Sequence, residues 1–267
     1  MELPKNPFKA ALTGEPRYGC WAGFGTAYAA EILATTGFDW LLIDGEHAPN
    51  PVPAVLGQLQ AVAPYPSAPV VRTLNHDPAL IKQLLDVGAQ TLMVPMVDDA
   101  GQAEALVRAM RFPPQGIRGV GGGLTRATRW DAVPDYIRTA HRELCLIVQV
   151  ESPRGIDNVE AIAAVDGVDA VFVGPADLST GAGHVGNPGH PDVQAMIRRA
   201  LDATRAAGKA AGILAPAETD ARRYADWGFD FIAVGIDISL LRHAAVQTLA
   251  RYRPDDGAPG TPTSDTY

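Results

Sequence analysis

Cysteine is nearly absent: the 267-residue chain holds two, Cys20 and Cys145. Both fall inside apolar, strand-like runs, which reads as buried free thiols. No C-x-x-C or Cys/His metal spacing is present, so a structural zinc site is excluded. Lysine is scarce too, with Lys5, Lys9, Lys82 and Lys209 making the full set. Charged residues are 19% of the chain and the net charge is −8, with no basic run or arginine stripe. Nucleic-acid binding needs a cationic footprint, and none is there. No apolar run approaches the roughly 20 residues of a membrane span. Residues 1–8 lack the apolar stretch of a secretory signal. These absences predict a soluble, cytoplasmic protein with no nucleic-acid or membrane partner.

Hydrophobic residues, by contrast, are 47%, enough for a large core. Eight short apolar runs recur, at 19–24, 40–44, 69–74, 91–97, 144–151, 170–174, 211–214 and 231–235. Each reads as a parallel strand buried on both faces. Helical patterns alternate with them, at 26–36, 52–62, 78–87, 100–110, 135–142, 155–165, 191–207, 218–227 and 236–252. Eight strand–helix units in about 250 residues predict a single-domain (β/α)8 TIM barrel over residues 1–253. A doubly wound open sheet is the alternative; it needs a polar, blunted edge strand, and no clear one stands out. The Gly- and Arg-rich stretch 111–129 follows strand four and is expected on the catalytic face, as a lid or pocket wall, or else as a plain surface loop. The Pro/Gly-rich tail 254–267 reads as disordered.

A barrel places its chemistry where strands end and βα loops begin. Polar residues gather at those positions. The second strand runs into Asp44-Gly45-Glu46-His47, the third carries Arg72, the fifth carries Gln149 and Glu151, and the sixth leads into Gly174-Pro175-Ala176-Asp177. Gln149 and Glu151 are two apart and share a face. Glu151 and Asp177 end neighbouring strands and are placed to reach one ion. Two carboxylates without soft ligands suit Mg²⁺, Mn²⁺ or Co²⁺; a Glu151–arginine pair is the alternative. The N–H groups of Ala176 and Asp177 are candidate holders of a substrate carboxylate or phosphate. Arg72 needs an anion, either a substrate oxygen or a structural partner. His47 is a base candidate or a third metal ligand, with His76 in reserve. His141, His184, His190 and His243 receive no role. A Schiff-base barrel needs a lysine near the C-terminal end of a strand. Lys5 and Lys9 precede the first strand, Lys82 falls on a helix and Lys209 precedes strand seven, so carbonyl activation is expected from a metal, with no organic cofactor.

The ordered segments FDWLLIDGEHAPN, PVVRTL, GAQTLMVPMV, IRGVGGGLTRATRW, LIVQVESPRGIDN and VFVGPADLS resemble the HpcH/HpaI aldolases over residues 5–253. Those are metal-dependent class II pyruvate aldolases, typified by 4-hydroxy-2-oxoheptanedioate aldolase and 2-dehydro-3-deoxyglucarate aldolase. The resemblance implies reversible cleavage of 4-hydroxy-2-oxo acids to pyruvate and an aldehyde. It implies Glu151 and Asp177 as ligands of the divalent metal, with pyruvate chelating it and the Ala176 and Asp177 amides holding its carboxylate. It implies Arg72 at the enolate oxygen and His47, through water, as acid/base. Asp86 is implied as the acidic partner of His47, supplied by a neighbouring subunit. Gln149 would stand behind the metal ligands, and Trp21 and Leu214 would line the pocket. The family's usual assembly is a homohexamer, a dimer of trimers, with the last helix packed on another subunit. Two competing readings stay open: an acyl-CoA thioester lyase of the citramalyl-CoA type, for which no basic nucleotide patch is evident, and a non-catalytic barrel binding a carboxylate or phosphate. Oxaloacetate decarboxylation is a conceivable side activity.

Overall fold

Alternate residues of a strand face the same side, and in the runs 40–44, 68–72 and 145–151 one alternate set is apolar low in the strand and polar at its end. The computed structural model describes residues 1–12 and 14–253; the tail expected to be disordered, 254–267, lies outside them. Its strands are β1 (Arg17–Ala22), β2 (Trp40–Asp44), β3 (Ala68–Arg72), β4 (Thr91–Val94), β5 (Cys145–Val150), β6 (Ala170–Val173), β7 (Ala210–Leu214) and β8 (Phe231–Ile236). All pair in parallel and in chain order, and β8 returns to β1 to close the (β/α)8 barrel. The helices are α1 (Pro7–Ala10), α2 (Ala27–Ala34), α3 (Val52–Val62), α4 (Pro78–Asp86), α5 (Ala100–Met110), α6 (Tyr136–Thr139), α7 (Pro153–Asp157), α8 (Val159–Ala163), α9 (Pro175–Gly181), α10 (Pro191–Ala206), α11 (Glu218–Trp227) and α12 (Asp237–Ala250). Among the described residues no helix is long and apolar enough to cross a membrane.

Inside the barrel, Trp21, Trp40, Leu42, Val70, Met93, Ile147, Phe172 and Phe231 form one buried cluster. Gly19 makes room for it: a Cβ there would overlap the Trp40 indole. The floor is plugged by Phe8 of α1, edge-on to Trp40 at 5.9 Å and to Phe231 at 5.3 Å. A second, larger cluster lies between the strands and the helix ring, and α4 presents Ile81, Leu84 and Leu85 to it. Helices start where side chains satisfy their free N–H groups: Asp77 accepts from Ala79, Asp99 from Gln102 and Ser152 from Gly155. The closure of the barrel is fastened at the top by Asp237, whose buried carboxylate accepts from the N–H of Gly23 at 2.9 Å and of Ile238 at 2.7 Å.

Three expectations need correction. The stretch 155–165 is two short helices, α7 and α8, meeting at Asn158. The stretch 135–142 is α6 followed by a 3-10 turn. The third concerns the loop 111–129, which follows α5 and therefore starts at the lower end of the barrel. There the Ala127 N–H donates to Asp86 O at 3.1 Å and Arg126 donates to Val87 O at 3.1 Å. Phe112, Ala127, Val133, Tyr136 and Ala140 form a cluster of their own against Leu3. Within one chain this segment is thus a buttress under the barrel, opposite the catalytic face. An insertion that follows a helix, not a strand, cannot be assigned to the upper face.

Candidate active site

The inward-facing series of β2 and β3 ends at Asp44 and Arg72, which stand opposite each other in the parallel register. Both are buried, and they meet as a fork: Arg72 Nε and Nη2 each donate to Asp44 at 2.8 Å. Arg72 Nη1 lies 2.9 Å from Glu46 Oε2. Two of the five guanidinium N–H groups are hydrogen-bonded, both to Asp44, and Nη1 stands at ion-pair distance from Glu46 without a hydrogen bond. The Trp21 ring lies 5.5 Å from the guanidinium carbon. Asp44 Oδ1 also accepts from the N–H of Glu46 at 3.0 Å and of His47 at 3.4 Å, so it shapes the turn that presents His47. Gly45 in that turn is obligatory, because a Cβ would come within 2.6 Å of Arg72 O. Burial works against ionising Asp44, but the Arg72 fork and the two N–H donors outweigh it and hold its pKa below the ordinary range. The His47 ring is exposed, with Nε2 3.9 Å from Glu46 Oε2.

Glu151 follows β5 on the same inward face as Gln149. Its Oε1 accepts from the Met96 N–H at 2.9 Å and its Oε2 from Gln149 Nε2. Met96 reaches that position with φ of 54°, a left-handed conformation that costs a non-glycine residue about 1–2 kcal/mol. Gly174 lets Glu151 and Gln149 sit this close to β6, since a Cβ there would overlap Glu151 Oε2. Burial pushes the Glu151 carboxyl up to about 7; the nearby charges of Asp177 and Glu46 add to the rise, against the Met96 N–H and Arg72. Asp177 stands in the first turn of α9, whose cap, Gly174, offers no side chain. Among the described residues the N–H groups of Ala176 and Asp177 have no backbone acceptor. Leu214 ends β7, half-buried at the rim.

Asp44, Glu46 and Glu151 thus gather around a single guanidinium, and Asp177 acts on Glu46 and Glu151, so acidic groups outnumber the cation. The buried Gln149 Oε1 beside them has no partner among the described residues. An all-oxygen donor set of this charge fits a hard divalent cation held by Glu151 and Asp177. A cavity of about 500 Å³ lies elsewhere, under the floor between Phe8, Leu12, Trp40 and Phe231; strand C-terminal ends, not volume, locate chemistry in a barrel.

One expected site residue stands apart, and the reserve candidate is engaged by the backbone. Asp86 ends α4 at the lower end of the barrel and pairs with Arg118 at 2.8 Å, so His47 of its own chain is out of reach. His76 Nε2 is taken by Pro95 O at 2.7 Å. Sequence reasoning missed Met96 as a donor to Glu151, and it left Asp44 without a role as the clamp on Arg72. The signal for Asp44 existed, because adjacent parallel strands ending in opposite charges at equal depth form a pair.

A family model for the HpcH/HpaI aldolase/citrate lyase domain matches residues 17–244. The chain belongs to this family. A hydroxypyruvate/pyruvate aldolase of Chromohalobacter salexigens is 77% identical over 253 residues, 95% of this chain and all of that protein. A 4-hydroxy-2-oxo-heptane-1,7-dioate aldolase of Klebsiella pneumoniae is 58% identical over 248 residues, 92% of this chain and 94% of that protein. A crystal structure of an HpcH/HpaI aldolase/citrate lyase family protein from Burkholderia cenocepacia superposes with a TM-score of 0.90 at 46% identity, over 93% of this chain and all of that one. Relatives named as aldolases at these identities make this HpcH/HpaI member a lyase of the aldolase type.

The raised Glu151 pKa carries a stability prediction for the metal-free protein. The folded chain keeps the Glu151 proton up to about pH 7, whereas the unfolded chain loses it near 4.5. The stabilising contribution is complete below about 4.5 and is lost as pH rises to about 7, at about 1.4 kcal/mol per unit. Metal-free protein is expected to lose melting temperature between pH 5 and pH 8 more steeply than its Glu151→Gln variant, and Mg²⁺ is expected to restore the loss at pH 8. Parallel melting curves for the two proteins would contradict the assignment.

Proposed function

We propose that this protein is a divalent-metal-dependent pyruvate aldolase that cleaves 4-hydroxy-2-oxo acids, reversibly, to pyruvate and an aldehyde. The observation that carries this reading is the buried Glu151, with Asp177 exposed in the first turn of α9 and close enough to raise the Glu151 pKa, beside the clamped Arg72. The names of the relatives support pyruvate, and hydroxypyruvate with it, as the nucleophilic partner. Glu151 and Asp177 would hold Mg²⁺, Mn²⁺ or Co²⁺, which would supply Lewis-acid stabilisation of the charge that develops during cleavage. The N–H groups of Ala176 and Asp177 bind the substrate carboxylate. Arg72 turns N–H groups not bonded to Asp44 toward the oxygen that becomes the enolate, and Asp44 and Glu46 fix the guanidinium in advance, so no reorganisation is needed as charge builds. Gln149 holds the second oxygen of Glu151. His47, through a water molecule, moves the proton at the hydroxyl that becomes the aldehyde oxygen. Trp21 and Leu214 wall the space around the reacting carbons.

Within its own chain, among the described residues, His47 has only Glu46 at 3.9 Å, beyond hydrogen-bond reach, and Asp86 lies at the far end of the barrel. The reading therefore pairs them across two copies, in a homo-oligomer in which the lower end of one barrel meets the mouth of another. The hexamer implied by the resemblance supplies such contacts. Mixing His47→Ala and Asp86→Asn proteins, unfolding and reassembling them together, is expected to restore about a quarter of wild-type activity, since random assembly leaves one site in four with both native residues. Mixtures no more active than either parent would place Asp86 outside the site. The reaction itself is tested by following pyruvate release from a 4-hydroxy-2-oxo acid. Release is expected to stop after chelation and to return with Mg²⁺ or Mn²⁺. Turnover indifferent to both treatments would overturn the proposal.

A further inference from the structure

The loop 182–190 between α9 and α10 carries a group of donors that the aldolase reading does not use. Among the described residues, His184, His190 and Asp192 are the one set of three whose ligand atoms all lie within 4.8 Å of one another. The loop is folded to bring them together. The His184 N–H donates to Ser179 O at 2.8 Å, the Asn187 N–H to His184 O at 2.9 Å and the His190 N–H to Asn187 O at 3.1 Å. The two imidazoles lie face to face, 3.5 Å between centroids and 14° from parallel.

Both rings aim a nitrogen at the same carboxylate oxygen. His184 Nε2 is 3.4 Å and His190 Nδ1 is 3.6 Å from Asp192 Oδ2. These separations are long for charge-assisted hydrogen bonds. They match the spacing between ligands of one tetrahedral ion: with metal–ligand bonds of about 2.0–2.1 Å, neighbouring donors stand about 3.3 Å apart. We propose that His184, His190 and Asp192 form a second cation site, taking one ion of the Zn²⁺, Ni²⁺ or Cu²⁺ type per chain. Imidazole and carboxylate together select this class, whereas the all-oxygen mouth selects Mg²⁺ or Mn²⁺. The half-buried histidines and the exposed Asp192 leave the remaining positions to water.

Binding asks for one adjustment. Parallel rings set their lone pairs side by side, so one imidazole turns to meet the ion. His190 Nδ1 then gives up the Asp192 N–H that it now accepts at 3.3 Å, and that helix-end donor passes to solvent. The ion would tie the first turn of α10 to the loop that follows α9, the helix whose first turn carries Asp177. This site departs from the expectation of no zinc site drawn from the absence of C-x-x-C and Cys/His spacing, because its ligands follow H-x5-H-x-D and include no thiolate.

The test is a Zn²⁺ titration of the full chain, saturated with Mg²⁺, against a chromophoric competitor. Wild type and the Glu151→Gln/Asp177→Asn double variant are expected to bind one Zn²⁺ per chain with a Kd of roughly 10 μM or tighter. His184→Gln/His190→Gln is expected to bind roughly 100-fold more weakly, and Asp192→Asn roughly tenfold. Asp192→Asn keeps both imidazoles and the backbone donor, so it decides the matter should the histidine variant fail to fold. Zn²⁺ is expected to raise the melting temperature of wild type and not of the histidine variant. Zn²⁺ uptake that follows Glu151 and Asp177 and survives the loop substitutions would overturn the site. So would a wild-type Kd weaker than roughly 100 μM.

Discussion

Arg72→Ala is expected to lower kcat by at least roughly 10²–10³-fold, the loss seen when one donor to a developing oxyanion is removed. The same substitution strands two carboxylates. Asp44 and Glu46 are paired to Arg72 at 2.8 and 2.9 Å, and breaking a buried pair costs about 3–5 kcal/mol because the remaining charge is uncompensated. Activity and stability therefore fall together in Arg72→Ala, and the variant alone does not separate them. Arg72→Lys does. A lysine keeps the positive charge beside both acids but cannot form the two-pronged contact with Asp44 or fix a donor at the substrate oxygen. Its melting temperature is expected to lie well above that of Arg72→Ala, while kcat still falls by roughly 100-fold. Near-wild-type turnover in Arg72→Lys would reduce the fork to a structural pair.

Glu151→Gln is expected to separate activity from stability in the opposite sense. Losing one of the two proposed ligands is expected to weaken Mn²⁺ binding by at least roughly 100-fold and to abolish turnover at ordinary metal concentrations. Metal-free, the same variant is expected to be more stable than wild type at pH 8. It no longer buries a carboxylate that sits among Asp177 and Glu46 and resists ionising until about pH 7. That charge costs the metal-free fold about 3 kcal/mol at pH 8. Asp177→Asn is expected to share the loss of Mn²⁺ affinity. Mn²⁺ titration and melting at pH 8 check both. Unchanged Mn²⁺ affinity in Glu151→Gln would remove it from the metal site.

Much of this arrangement could be read along the chain because barrel chemistry is local to strand ends. Trp40–Asp44, Val52–Val62, Ala100–Met110 and Glu218–Trp227 have the bounds that their apolar patterns predict. The polar residues at strand ends fall where a period of two carries them: Asp44, Arg72, Gln149 and Glu151 all continue inward-facing series. What stayed hidden depends on relations between segments. The Asp44–Arg72 fork needs the register of β2 against β3. The Met96 N–H points at Glu151 only because that residue takes a left-handed conformation, which no methionine announces. The loop 111–129 is expected above the barrel when it is taken as an insertion after the C-terminal end of strand four. Its true place follows from its position after α5, and its anchors Asp86 and Val87 lie in a different unit. His184 and His190 looked like ordinary loop histidines, since stacking and a shared Asp192 are visible only once the loop is folded.

The central claim is that Glu151 and Asp177, with Arg72, stabilise a pyruvate enolate. Exchange of the pyruvate methyl protons in D₂O, followed by NMR, tests it without any choice of aldehyde. With Mg²⁺ the methyl signal is expected to decay in the presence of the enzyme, to persist after chelation, and to decay again when Mg²⁺ is returned. Glu151→Gln and Arg72→Lys are expected to be silent in the same assay. A methyl signal that persists with Mg²⁺, Mn²⁺-preloaded or Co²⁺-preloaded enzyme, and with an unreactive aldehyde analogue added to complete the site, would contradict enolate formation and with it the aldolase mechanism.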